Sequence, residues 1–312
     1  MILFPFCKIN LGLQITAKRP DGFHDLDTVF LPVKDWYDVL EILPAERDEF
    51  FLSGAPLDGN PADNLVCRAR DAMRRHLAQQ RRTLPACSLR LHKTVPSGAG
   101  LGGGSSDATH TLIGLNQLFE LGLSVSDIEA LSRPLGSDCA FFSADAPARA
   151  TGRGDVLERF SSAESRSQTC LDYAKARKRC FEKERLTPDA DTPLCHLWII
   201  VPPVHISTAQ AYAGARPQAG RPALPQLLRR PVSDWPHCIE NDFEKTLFPQ
   251  LPVLAEIKEK FYELGAFYAS LSGSGAALFG LFREEPAAEA RRAFPADCVS
   301  FRTRIAIPSV RN

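Results

Sequence analysis

A chain of 312 residues, 44% apolar and 24% charged, is long enough for one large domain or two ordinary ones, and this composition excludes a disordered protein. Lysine plus arginine and aspartate plus glutamate each total 37, so the net charge is zero. No basic field exists to gather nucleic acid or an anionic membrane, and a small-molecule partner is expected instead.

The apolar start MILFPFCKINLGL carries Lys8 in its middle and lacks a basic leader and a small-residue cleavage site, so it reads as a first strand rather than a signal peptide. CKINLGLQI and SLRLHKTV suit strands, while DNLVCRARDAMRRHLAQQRR spaces Leu65, Ala69, Ala72, Met73 and Leu77 as a helix does. Next comes KTVPSGAGLGGGSSDATHTL, Lys93 to Leu112, rich in glycine and serine. It ends in a helical pattern with Ala108, Leu112, Leu115 and Phe119 on one face, started by Ser105 or Ser106 as cap. A second helix is predicted in SVSDIEALSR, with Ser126 and Glu129 at capping-box spacing and Pro134 as its stop. LGSDCAFFSADAPARATGRGD then turns toward another strand.

A Ser-rich, mixed-charge stretch at about 159–193 precedes the apolar strand HLWIIVPP, and the domain junction is placed there, giving domains 1–156 and 157–312. Its low apolar content predicts a disordered loop, and KARKRC within it reads as a solvated helix face rather than a nucleic-acid patch. A helix in VLAEIKEKFYELG and strands in FYASLSGSG and AALFGLF follow. The nine cysteines are odd in number, scattered and without C-x-x-C spacing, which points to a reduced, cytoplasmic chain without structural zinc. No run of about 18 apolar residues marks a membrane span.

Two readings of the glycine run compete: a flexible linker, or a loop whose bare N–H groups grip a phosphate. Strand, loop and helix follow one another here without a polar spacer, which favours the phosphate loop at a helix N-terminus. A Walker A loop needs a lysine after its glycines, and none is present. Gly98, Gly100 and Gly103 match G-x-G-x-x-G, but the acidic residue expected about 20 positions on is replaced by a long helix. A dehydrogenase is therefore a weak alternative.

What remains, P-x-x-x-G-L-G-x-G-S-S from Pro96 to Ser106, resembles the phosphate loop of the GHMP small-molecule kinases. CKINLGLQITAKRPDGFHDLDTVF is similar to the A-K-[IV]-N-L-x-L…DG[YF]H segment of the 4-diphosphocytidyl-2-C-methylerythritol kinase branch, with Cys7 in place of alanine, and SLSGSGAALFG resembles the third glycine motif. Alone, Ser272–Gly275 would read as a hairpin turn. DNL at Asp63, LGSDCAFF around Asp138, ISTAQAY at Ile206 and ENDFE at Glu240 extend the match over most of the chain, leaving out only about 159–193.

The resemblance implies an α+β, two-domain fold, the N-terminal domain like ribosomal protein S5 domain 2 and the C-terminal one ferredoxin-like. It implies ATP-dependent phosphorylation of the 2-hydroxyl of 4-diphosphocytidyl-2-C-methyl-D-erythritol in the non-mevalonate isoprenoid pathway, with ATP and Mg²⁺ and no obligate protein partner. By it, Pro96, Gly98, Gly100, Leu101, Gly102, Gly103 and Gly104 cradle the nucleotide phosphates, and Ser105 and Ser106 help to place phosphate or magnesium, whose direct ligands stay unassigned. Asn64 and Lys93 are implied adenine-side or ribose-side contacts, and Asn10, Phe23, His24, Thr208, Tyr212, Gly273, Ser274 and Gly275 substrate contacts. Asp138 is the implied proton acceptor, against the bland reading of a helix N-cap, and Lys8 its cationic neighbour, against a lysine facing solvent. Two alternatives stand beside this reading. One is another GHMP kinase, for homoserine or mevalonate, against which PDGFH argues; the other is a silent ligand sensor, which has no need of both Lys8 and Asp138.

Overall fold

The computed structural model describes residues 1–56, 60, 63–160 and 194–308. After the short β1 (Ile2–Leu3), the chain forms a long antiparallel hairpin of β2 (Phe6–Lys18) and β3 (His24–Tyr37). β4 (Val39–Pro44), β5 (Glu49–Gly54), helix α1 (Leu65–Gln79) and β6 (Cys87–Lys93) follow. The glycine-rich loop then enters α2 (Gly103–Leu118). Helix α3 (Val125–Ser132), a 3-10 turn at Cys139–Ser143, β7 (Ala148–Gly152) and β8 (Val156–Arg159) complete the first lobe. Its two sheets run β1-β4-β6-β5 and β2-β3-β7-β8. One core holds them to the helices, with Leu3, Leu40 and Ile42 against Met73 and Leu77 of α1 and Leu112 and Leu115 of α2.

The second lobe contains β9 (Leu194–Val201), helices α4 (Thr208–Ala213), α5 (Leu224–Leu228) and α6 (Pro252–Glu263), and strands β10 (Tyr268–Leu271), β11 (Leu278–Phe282) and β12 (Val299–Ala306). The sheet order β10-β11-β9-β12, antiparallel throughout, is the ferredoxin-like order, with a 3-10 segment at Ala288–Ala293 where a second helix would lie. The α+β two-domain expectation holds.

Period-two alternation in β2 decides how the lobes meet. Cys7, Ile9 and Leu11 join Val29, Leu31 and Val33 of β3 against Leu197 and Ile199 of β9 and Phe279 and Leu281 of β11. Lys8 and Asn10 therefore project from the opposite face. A second tie follows β2: Leu13 N–H donates to Glu240 O (2.9 Å), and Asp242 N–H donates to Leu13 O (2.9 Å).

Local details differ from the sequence expectations in three places. Helix α2 starts at Gly103 after Gly102 at φ +71°, two residues before Ser105, because Ser106 N–H already closes the first turn on Gly102 O (2.9 Å). The capping box of α3 uses Ser124 and Asp127, while Glu129 turns inward to Arg159 (2.9 Å) and Ser143 (2.7 Å). The boundary after residue 156 falls inside β8, which pairs with β7 as far as Arg159↔Ala148. The predicted disordered loop at about 159–193 lies, from residue 161 onward, outside the described residues. Among the described residues no helix is long and apolar enough to cross a membrane.

Candidate active site

Lys8 is buried, with 2% of its side chain exposed, and a buried ammonium must be compensated. It donates to Asn10 Oδ1 (2.6 Å) and to Gly100 O (2.9 Å), and Asp138 Oδ2 lies 3.3 Å away. Asn10 in turn donates to Thr28 Oγ1 (2.9 Å), which donates to Gly12 O (2.6 Å), so Asn10 is locked from behind. Asp138 stands at the N-cap position of the 3-10 turn, yet its side chain makes no capping hydrogen bond. The carboxylate points to Lys8 instead, and at 29% exposed it reaches solvent where its partner does not.

The glycine-rich loop closes over this pair. Lys8 N–H donates to Leu101 O (2.9 Å), and the methylenes of Lys8 lie against Gly102, where a Cβ would fall 3.1 Å from Lys8 Cε and 2.9 Å from the Phe142 ring. At Gly100, φ is +76° and a Cβ would stand 2.0 Å from Ser272 O, so glycine is required both by conformation and by space. Through that contact the third glycine motif meets the first loop: Ser272 Oγ donates to Gly100 O (3.0 Å), Ala277 N–H donates to Ala99 O (3.0 Å), and Gly273 abuts Gly100. Helix α2 has no side-chain cap, leaving the first-turn amides directed outward at the positive end of its dipole.

Two family models match in sequence, the GHMP kinases N terminal domain over residues 64–152 and the GHMP kinases C terminal over 223–300. A 4-diphosphocytidyl-2-C-methyl-D-erythritol kinase of Porphyromonas gingivalis is 40% identical over 99% of this chain and 100% of its own length. One from Bacteroides fragilis is 41% identical over 91% and 93%. The chain belongs to the 4-diphosphocytidyl-2-C-methyl-D-erythritol kinase family of GHMP kinases. A crystal structure of 4-(cytidine 5'-diphospho)-2C-methyl-D-erythritol kinase superposes with a TM-score of 0.72 at 27% identity, covering 98% of this chain and 99% of the other. The Streptococcus pneumoniae phosphomevalonate kinase, at 15% identity and a TM-score of 0.64, shares the fold.

In this kinase the residues expected at the substrate's base come together in part. The rings of His24 and Tyr212 stack at 4.9 Å and 18°, and Tyr212 packs edge-on to Phe243 at 4.8 Å. Partial burial and the charge of Lys18 lower the pKa of His24, keeping the imidazole neutral at pH 7 and able to donate at one nitrogen and accept at the other. Burial and the Asp138 carboxylate push the Tyr212 hydroxyl up to about 12, so it stays protonated and able to donate. Phe23 is 53% exposed, and the Arg153 guanidinium covers one face of its ring at 4.7 Å. Thr208 opens α4, exposed, beside its cap Ser207. Pro96 is half-buried where the loop begins, Gly98 faces His205, and Gly104 borders Leu65. Ser274 is half-buried at the tip of the third motif between the buried Gly273 and Gly275.

Three residues expected to contact the nucleotide make other bonds within the fold. Lys93 is buried and donates to both Asp38 and Asp107 Oδ2 (2.7 Å), so its ammonium is consumed inside the fold. Asn64 caps α1, its Oδ1 accepting from Val66 N–H (2.9 Å). Ser106 is fully buried with its hydroxyl 3.3 Å from His110 Nδ1, while Ser105 stays half-buried at the head of the helix. For Lys93 and Ser106 the reason is shared: the buried face of β6 and the first turn of α2 direct these two side chains to the core.

Residues without an assigned role in the sequence reading hold the site from behind. Asn241 donates to Leu271 O (2.8 Å) and Gly273 O (2.9 Å) and accepts from Phe243 N–H (3.0 Å), fixing the third glycine turn. Asp242 accepts from Ile15 N–H (2.7 Å) and pairs with Arg221, whose charge, together with the Ile15 hydrogen bond, holds the carboxyl below the usual range against its burial. Both lie in ENDFE, a stretch noticed for its resemblance but silent about what it touches.

Proposed function

We propose that Asp138 and Lys8 carry the chemistry of this kinase, which transfers the γ-phosphoryl group of ATP to the 2-hydroxyl of 4-diphosphocytidyl-2-C-methyl-D-erythritol in the non-mevalonate route to isoprenoids. The observation that carries this assignment is the half-open ion pair of Asp138 with buried Lys8, lying under a loop that ends in an uncapped helix. In-line phosphoryl transfer requires a positioned hydroxyl, a proton acceptor and positive charge near the migrating group. Asp138 Oδ2 is the acceptor for the hydroxyl proton. Lys8, directed by Asn10 and Gly100 O, lies 3.3 Å from that carboxylate and faces the developing charge. The amides opening α2 bind the phosphates. The half-buried Ser105 hydroxyl is an oxygen donor suited to Mg²⁺ arriving with ATP, which would neutralise phosphate charge. His24 reads the cytosine edge, and Tyr212 and Phe23 offer ring faces. The cytoplasm is the compartment we assign, supported by seven free thiols among the described residues.

The test is ATP-dependent turnover of the cytidyl substrate by purified protein, with homoserine and mevalonate as controls. Turnover of the cytidyl substrate alone, falling about 10²-fold or more in Asp138→Asn with the same melting curve, is the expected result. Unchanged turnover in that variant would remove Asp138 from the chemistry.

A further inference from the structure

Both stems of the glycine-rich loop converge on one buried cluster. Asp38, fully buried between β3 and β4, accepts through Oδ1 from Thr94 N–H (2.6 Å) and Val95 N–H (2.9 Å), the first two residues after β6. Its other oxygen accepts from Lys93 Nζ, the last residue of that strand, and the same ammonium donates to Asp107 Oδ2 (2.7 Å), one turn into α2. A Cβ at Gly103 would lie 3.3 Å from Lys93 Nζ, so the ammonium sits directly beneath the first residue of the helix. Strand end, loop entry and helix start are thereby stitched together across the loop that they bracket. A loop with five glycines between Lys93 and Ser105 has much conformational freedom to lose on gripping an anion.

We infer that Asp38, Lys93 and Asp107 form a buried clasp that positions the phosphate loop and so sets affinity for ATP without touching it. The inference rests on reading the loop as the nucleotide-phosphate site. It replaces the direct adenine-side or ribose-side contact that the sequence suggested for Lys93. The two roles diverge at Asp107: if Lys93 reached the nucleotide, removing Asp107 would free its ammonium and leave ATP affinity unchanged or tighter, whereas loss of the clasp weakens it.

The experiment is steady-state kinetics and ATP binding by calorimetry on the full chain, comparing wild type with Asp107→Ala, Asp107→Asn and Lys93→Met. Asp107→Ala keeps the Asp38–Lys93 pair, so it remains informative if Lys93→Met fails to fold. The expected result is a rise of about tenfold in the ATP KM and Kd for Asp107→Ala, with the KM for the cytidyl alcohol within about twofold. Asp107→Asn, which retains an oxygen acceptor for Lys93, recovers most of the loss. ATP affinity unchanged or tighter in a folded Asp107→Ala overturns the clasp, and so does an equal rise in both KM values, which marks a merely structural role. Failure of the wild type to turn over ATP would instead sink the functional reading, and the calorimetric comparison would still decide the clasp.

Discussion

Lys8 and Lys93 are both strand lysines with almost no exposed surface, on either side of one loop, and they are compensated in opposite ways. Lys93 is shared by two carboxylates, Asp38 and Asp107, whose side chains are at most 4% exposed. Lys8 has two neutral acceptors and one carboxylate, Asp138, which is open to solvent at 29%. A buried charge enclosed by buried counter-charges has no field left to offer a substrate. One whose single ionic partner among the described residues is open to solvent keeps an outlet for its charge, as the proposed phosphoryl transfer requires. The difference between a structural and a reactive lysine thus lies in where the counter-charge stands.

The sharpest way to break this contrast is to delete each ammonium in turn. Lys8→Met is expected to lower kcat by about 10²- to 10³-fold, because it removes charge stabilisation made in the transition state. Its urea midpoint should move little, since Asp138 can be solvated. Lys93→Met is expected to show the reverse pattern, a lowered urea midpoint with the kinetic effect confined to the ATP KM, because it leaves buried Asp38 and Asp107 without their shared donor. Stopped-flow turnover and denaturation on both proteins check this; equal kcat losses would erase the distinction.

A second test disturbs the Lys8 pocket through the backbone alone. In Gly100→Ala the new methyl meets Ser272 O at a positive φ, so the Gly100 carbonyl that receives Lys8 must move and the contact between the two glycine motifs must open. A stability loss of about 3 kcal/mol is expected from strain and overpacking together. Chemical denaturation measures it, and a change under about 0.5 kcal/mol, the usual scatter of surface substitutions, would show that the motifs do not bear on one another as described.

How much of this was legible in the sequence follows from what each feature depends on. The strand in CKINLGLQI, α1, β6, α2, β9 and α6 were readable because periodicity and breakers are local, whereas β3, the other half of the first hairpin, was not read. The glycine-rich loop was readable as a phosphate loop from its place between strand and helix, whereas the other two motifs and the Lys8–Asp138 pairing were readable only through resemblance, since residues 130 positions apart leave no spacing signal. Lys93 was misplaced because an alternating strand lysine next to a phosphate loop looks the same whether it faces nucleotide or core; Asp38 and Asp107, which decide the matter, carry no motif of their own. Asn241 escaped for the same reason, as its partners are backbone carbonyls of another strand's turn.

The smallest effect expected lies in the pH dependence of stability, where the Lys93 cluster opposes its neighbour His110. Burial pulls the His110 imidazole down to about 4, so between that value and its ordinary range near 6.5 the unfolded chain binds a proton that the native state refuses. Stability from this group is therefore lost on acidification. Asp107 works the other way: burial and the Asp38 carboxylate hold its carboxyl well above the usual range, despite the opposing pull of Lys93, so the native state keeps a proton that the unfolded chain has released. Its contribution grows as pH falls through the same window. The two slopes, each about 1 kcal/mol per pH unit between pH 6 and pH 5, should nearly cancel in the wild type. Asp107→Asn should then lose stability on going from pH 6 to pH 5 faster than wild type by about 1 kcal/mol, and His110→Gln should diverge by a similar amount in the opposite direction. Urea titrations at the two pH values decide it. Parallel slopes for Asp107→Asn and wild type would mean that Asp107 is fully ionised, leaving two buried anions on one ammonium and a Lys93 site less neutral than the contrast with Lys8 requires.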